Sequence, residues 1–247
     1  MITINEKNFP DVNFRNWLLK QDYATDGVLT EEMLSEVTEL DVRRCAIHSL
    51  KGIEYFTALT KLNCSMNHLT FLDISHCPAL AVLDCSINDL AYLDLSHNQE
   101  LTKLNCSDNP LVSFDVSHNP ALRVLDCSTN LLKSLDLEQN SALRVLDCSC
   151  NELSSLDLSH NPALVKLNCC WNFFTSLDLS HNPILTILDC YAYNQGCEAA
   201  TDALIASLSQ TDGGIIYVDE GYSREKIKAA RAKGWVMQEG PQAVVSI

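Results

Sequence analysis

The sequence predicts an α/β solenoid, with short parallel strands on a concave face, a helical cap at the N-terminus and a β/α cap at the C-terminus. Three observations predict it. From Leu59 to Cys190 the chain repeats every 21 residues on the frame LxxLxCSxNxLxxLDLSHNPx, with no insertion. Leu59, Leu80, Leu101, Leu122, Leu143, Leu164 and Leu185 open the copies, and Cys64, Cys85, Cys106, Cys127, Cys148, Cys169 and Cys190 follow five residues later. Across LTKLNC the residues alternate, so Leu62 and Cys64 face one side of a strand while Lys61, Asn63 and Ser65 face the other. Such a period with leucine at these offsets marks a leucine-rich repeat, whose coils contact only their neighbours and merge their outward positions into one concave surface.

The elements follow in order. Residues 1–36 form the N-terminal cap: Asp11 to Lys20 is a short helix with Phe14, Trp17 and Leu18 on its apolar face, and Thr30 caps a second helix running through Glu36. Between them Asp22, Asp26 and Gly27 match positions 1, 5 and 6 of a calcium-binding EF-hand loop. Ala24 and Met33 at positions 3 and 12 remove two ligands, so a capping helix pair is expected rather than a tight calcium site. Residues 37–192 are the repeats, one coil of 22 residues with Cys45 in the asparagine position and then coils of 21. Coils this short have no room for a long convex helix, so LDLS and the turn after it should be extended or a single helical turn. Asn67, Asn88, Asn109, Asn130, Asn151 and Asn172 close the strands, where their amides can bond the backbone of neighbouring coils. Residues 193–247 are the C-terminal cap. Tyr193 replaces the asparagine, and a helix from Glu198 to Leu208, a strand from Ile215 to Val218, a helix from Ser223 to Lys233 with Gly234 past its end, and a strand from Trp235 to Met237 follow. That order extends the sheet in parallel, with both helices on its outer flank.

Composition narrows function. The 247 residues are 47% hydrophobic and 20% charged, ordinary for one elongated folded domain, and the net charge of −15 is spread along the chain. An acidic surface repels phosphate backbones, so nucleic acid is not an expected partner. No stretch has the length of a membrane-spanning helix, and MITINEKNFPD lacks the apolar centre of a signal peptide. Of the 12 cysteines, the seven of the ladder project in parallel into the core and act as small hydrophobes. Cys45, Cys77, Cys150, Cys170 and Cys197 lie outside it. Cys150 and Cys170, at the ends of adjacent strands, are the one pair to consider for a bridge, against which their pleat directions argue. Asp73, Asp94, Asp115, Asp136, Asp157 and Asp178 form one file, and His76, His97, His118, His160 and His181 another. Copied into nearly every coil, they suit a turn requirement better than a metal site, whose ligands must converge on one point. Motifs for nucleophilic, zinc-hydrolase or phosphate-binding chemistry are absent, so neither an enzyme nor a cofactor is expected.

The frame LNCSxNxLxxLDLSHNP, with cysteine at the inward strand position, resembles the cysteine-ladder internalins and related surface repeat proteins of gut bacteria. FPDVNFRNWL at Phe9 to Leu18 and DYATDGVLTEEM at Asp22 to Met33 are similar to their helical caps, and Val37 to Leu59 to their first repeat. The resemblance spans residues 8–192. It implies a secreted or surface-displayed binding module, hence an extracellular or cell-surface location, although no signal peptide is visible.

The positions that vary on this fixed scaffold carry the functional expectation. Along the strands lysine travels with asparagine and valine with aspartate. At the strand ends Arg44, Met66, Ile87, Asp108, Thr129, Cys150, Trp171 and Ala192 form a column without consensus, where a repeat protein carries its specificity. Met66, Ile87, Lys166, Trp171, Phe173 and Tyr191 are the candidate ligand-binding residues. The aromatic three place a hot spot at the C-terminal end of the concave face, because large aromatics bring contact area at little entropic cost. A competing explanation is that the helix near Glu198 covers Tyr191 and Trp171. Asp126 and Asp147 stand on adjacent coils with valine beside each, about 5 Å apart. They should share a proton or attract a divalent cation weakly, unless Arg123 and Arg144 reach and neutralise them. The expected function is non-enzymatic recognition of a protein or glycan ligand, host-derived ones included, by a monomer; the alternative is an adhesive spacer without a discrete binding patch.

Overall fold

The computed structural model describes residues 1–24, 26–190, 198–218 and 223–240. The N-terminal cap opens with a two-stranded antiparallel ribbon, β1 (Ile2–Thr3) against β2 (Val28–Leu29). Between them α1 (Val12–Leu18) buries Phe14 and Leu18. Asp11 is its N-cap, accepting from the backbone N–H of Asn13 and Phe14, and its second oxygen accepts from the N–H of His48 at 2.8 Å. One carboxylate therefore both starts the helix and fastens the cap to the first coil. Gly27, at φ 70°, makes the sharp turn before β2. Thr30 then caps α2 (Glu31–Glu36), where Met33 N–H donates to its hydroxyl at 3.2 Å.

Eight coils follow, each contributing one three-residue strand: β3 (Glu39–Asp41), β4 (Lys61–Asn63), β5 (Val82–Asp84), β6 (Lys103–Asn105), β7 (Val124–Asp126), β8 (Val145–Asp147), β9 (Lys166–Asn168) and β10 (Ile187–Asp189). They pair in parallel and in register, with Leu40, Leu62, Leu83, Leu104, Leu125, Leu146, Leu167 and Leu188 stacked in one buried file. Burying each leucine stabilises the fold by about 1.5–3 kcal/mol over leaving it in water. The cysteine ladder forms a second file in the same core, its thiols buried and not joined in disulfides. Cys85, Cys106, Cys127, Cys148 and Cys169 each donate Sγ–H to a backbone carbonyl of the next coil, at 3.5 Å. The extra residue of the first coil is absorbed at Gly52, whose φ of 106° suits glycine and where a Cβ would run into the Phe9 ring.

The C-terminal cap continues the sheet, as its element order implies. After α3 (Glu198–Ser207), β11 (Gly214–Val218) pairs in parallel with β10; after α4 (Arg224–Ala232), β12 (Trp235–Glu239) pairs in parallel with β11. The result is a ten-stranded sheet ordered β12 to β3. Ser223 caps α4, and Gly234 (φ 83°) ends it at a point where a Cβ would collide with the Thr211 carbonyl. Trp235 is buried and donates its indole N–H to Ser209 O at 2.9 Å, locking the last strand under the loop after α3. Tyr191, Ala192, Tyr193 and Cys197 lie outside the described residues. No helix among the described residues is long and apolar enough to cross a membrane.

Candidate binding surface

The concave face is built on an asparagine clamp. The Asn88 amide donates to the carbonyls of Cys64, Cys85 and Ser86, each at 3.1 Å, while its oxygen accepts from Leu69 N–H at 2.9 Å. Asn109, Asn130 and Asn151 repeat the set one coil at a time. Each clamp fixes the residue just before it, and that residue belongs to the column without consensus. Arg44, Met66, Ile87, Asp108, Thr129, Cys150 and Trp171 all have φ between 53° and 57°. For a residue other than glycine the left-handed region costs about 1–2 kcal/mol, and β-branched Ile87 and Thr129 are the least suited to it. Such a backbone persists only where its surroundings over-determine it. Besides the clamp, Ile87 N–H donates to Ser107 O and Thr129 N–H to Ser149 O, both at 2.9 Å. The column thus holds outward side chains at the expense of backbone comfort. Neither glycine nor asparagine marks it in the sequence, so its left-handed geometry left no trace there.

Of the candidate ligand residues, Met66 and Ile87 are exposed at the N-terminal end, where Arg44 Nε–H donates to Met66 Sδ at 2.8 Å. At the other end Trp171 is 52% and Phe173 67% exposed. Tyr191, the third aromatic of that group, lies outside the described residues. Lys166 is half-buried on β9. The structure therefore brings Trp171 and Phe173 together on one coil and leaves Met66 and Ile87 five and four coils away.

Asp126 and Asp147 face each other in register on β7 and β8, and both are buried. Each accepts from its own turn, Asp126 from the Ser128 hydroxyl at 2.6 Å and Asp147 from the Ser149 hydroxyl at 2.6 Å, and Asp147 also accepts from the Asn168 amide at 2.9 Å. Burial pushes the Asp126 carboxyl up to about 6 despite the Ser128 hydrogen bonds, with Asp147 adding to the rise. Burial likewise raises Asp147, against the lowering hydrogen bonds from Ser149 and Asn168. Arg123 and Arg144 make no ion pair with them among the described residues. Among those residues no group of three or more His, Cys, Asp or Glu side chains is arranged to hold a metal ion. Cys150 is exposed and Cys170 buried, both as free thiols, with Cys150 N–H donating to Cys170 O at 3.0 Å.

On the opposite side of each coil the aspartate file serves turns. Asp73 accepts from the N–H and hydroxyl of Ser75, which together hold its carboxyl below the usual carboxylate range, and Asp94, Asp115, Asp157 and Asp178 are lowered by their own serines in the same way. A second asparagine column, Asn98, Asn119, Asn140, Asn161 and Asn182, is fully buried there and each amide donates to two carbonyls of the preceding coil. Cys77 takes that position in its own coil, its thiol directed at Ile53 O and Phe56 O. In the sequence these asparagines look like ordinary turn residues, three of them in HNP, which conceals their clamping role.

In-register strands, a buried leucine file, a thiol ladder and an asparagine clamp define a leucine-rich repeat solenoid. No protein-family model matches the chain. A stretch of 69 residues is 42% identical to Internalin J of Listeria monocytogenes serotype 4b (strain F2365), covering 27% of this chain and 7% of that protein. The functional domain of InlJ from Listeria monocytogenes, which includes a cysteine ladder, superposes over 95% of this chain and 60% of its own, at 29% identity and a TM-score of 0.66. Internalin C2 of the same species superposes with a TM-score of 0.70 over 82% of this chain and 93% of its own; at 19% identity that likeness concerns the fold alone. The chain is a leucine-rich repeat solenoid with a cysteine ladder that is similar to the internalins.

Proposed function

We propose that the solenoid is a non-enzymatic recognition module, displayed outside the cell, that binds a protein or glycan through its concave face, with Trp171 and Phe173 as the anchor. The observation that carries this is the left-handed column. A position under folding constraint alone would favour asparagine or glycine, whereas this one holds Met66, Ile87, Thr129 and Trp171 outward at a cost in stability. Trp171 and the neighbouring Phe173 are large exposed aromatics, the side chains that supply most energy per contact at interfaces. In the same proposal the Asp126–Asp147 pair carries a shared proton rather than a cation, since each already accepts hydrogen bonds from its serine and no third ligand joins them among the described residues.

The test is an array of host extracellular proteins and glycans probed with the purified chain. Trp171→Ala and Phe173→Ala should each abolish the strongest signal while melting within a few degrees of the parent. Signals that survive both substitutions would place binding elsewhere, and an absence of any signal would favour a spacer.

A further inference from the structure

We infer that the flank beside the strand ends is a second docking surface, shaped for a basic amphipathic α-helix of a partner protein. Four consecutive coils each present one exposed apolar side chain there: Phe71 at 64%, Tyr92 at 60%, Val112 at 59% and Leu131 at 45%. Their spacings of 21, 20 and 19 residues in a repeat of 21 draw a diagonal stripe from the flank toward the concave rim. None of the four is a repeat requirement. The position of Phe71 and Tyr92 is serine in Ser49, Ser113, Ser134, Ser155 and Ser176; that of Val112 is Lys133 one coil on; that of Leu131 is Glu152. An apolar stripe rimmed by polar residues marks an interaction site rather than chance exposure.

Two features select the occupant. The first is pitch. Coils follow one another at about 4.8 Å and the stripe shifts sideways by three residues over three coils, so its anchors lie roughly 6 Å apart along the diagonal; the anchors of an amphipathic helix at i, i+3 or i+4, and i+7 recur about every 5.4 Å, so a helix laid along the diagonal offers one side chain per coil. An extended peptide repeats a face only every ~6.8 Å and overshoots the whole stripe by roughly 3 Å, about twice the mismatch of the helix. The second is charge. Asp73, Asp89, Asp94 and Asp115 stand exposed beside the stripe, against Lys51 at one end and Lys133 at the other, which favours a basic polar face on the partner. Phe71 also walls a cleft of about 320 Å3 with Leu50 and Ile53, next to the Gly52 turn that absorbs the extra residue of the first coil. That cleft receives the terminal anchor of the helix.

Fluorescence anisotropy with a labelled 18-residue lysine–leucine peptide, its leucines at i, i+3, i+4 and i+7, tests the surface on the full chain. Controls are an alternating lysine–leucine peptide and a scrambled one of identical composition. The helical peptide should bind in preference to both, and Phe71→Ser and Tyr92→Ser should each weaken it at least tenfold. Serine is the residue of the other coils at that position, and Val112→Lys, matching Lys133, provides a third variant should either melt early. Trp171→Ala should leave this binding unchanged. Equal affinity for the three peptides, or variants that bind like the parent, would overturn the proposal. So would sedimentation showing that the parent chain self-associates through Phe71, which would make the occupant a second copy.

Discussion

Asp126 is a carboxylate on the concave face that solvent hardly reaches, and its titration makes the chain pH-sensitive. Its folded value of about 6 lies above the ordinary 3.8, so the folded state holds a proton that the unfolded state releases. The sign is that of a group whose neutral form the fold prefers: the stability that Asp126 contributes is fully present below about pH 4 and is lost as pH rises through 6. Asp126→Asn supplies the residue found in that file as Asn63, Asn105 and Asn168, and should add on the order of 2 kcal/mol at pH 7 with little gain at pH 4. Urea denaturation of both proteins between pH 4 and 8 checks it, and parallel pH profiles would contradict it. The left-handed column makes a second prediction. Thr129→Asn replaces a β-branched residue at φ 53° by one that tolerates the region and should raise stability by about 0.5–1 kcal/mol, read as a higher melting temperature. The sequence marks Asp126 as unusual through its neighbours Val124 and Asp147, but nothing in it marks φ at Thr129. Backbone strain is written in the clamp beside a residue, not in the residue.

At the scale of elements the clamp and the ladder hold coil to coil. Asn109→Ala would remove one of two donors from each of the carbonyls of Cys85, Cys106 and Ser107, which keep Asn88, Asn130 and Ile87 N–H, and would leave Leu90 N–H without an acceptor; it should cost about 1–3 kcal/mol. Equilibrium denaturation measures it. The ladder thiols are raised by burial, Cys85 and Cys106 among them, so a thiol reagent should label exposed Cys150 in the native protein and reach the ladder only in denaturant. Rapid native labelling of the ladder would contradict the core assignment. Alternation in LTKLNC made the strands legible, and hydroxyl caps at Thr30 and Ser223 made α2 and α4 legible. The β1–β2 ribbon was not, because Ile2–Thr3 and Val28–Leu29 are too short to show any period. Asn98 and its column escaped for another reason, since an asparagine at the end of a polar run such as SHN reads as a turn whether or not it is buried.

For the whole molecule, contacts confined to neighbouring coils mean that length is adjustable. Removing residues 108–128, which joins Ser107 to Thr129 in register, should leave a cooperatively folding chain whose denaturant slope falls by roughly a tenth. Fold is legible at this scale because one period is repeated; the candidate site is legible only as departures from it. Trp171 departs from the frame at the strand ends, whereas Phe71 and Tyr92 break a serine column just as plainly and are set apart by their exposure. The central claim is that the concave rim at Trp171 contacts the ligand. Photo-crosslinking with benzoylphenylalanine in place of Trp171, and separately in place of exposed Ile184 on the turn leading into β10, tests it directly against the ligand that the array identifies. A crosslink from position 171 and none from 184 is the expected result; a crosslink from 184 alone would contradict the account.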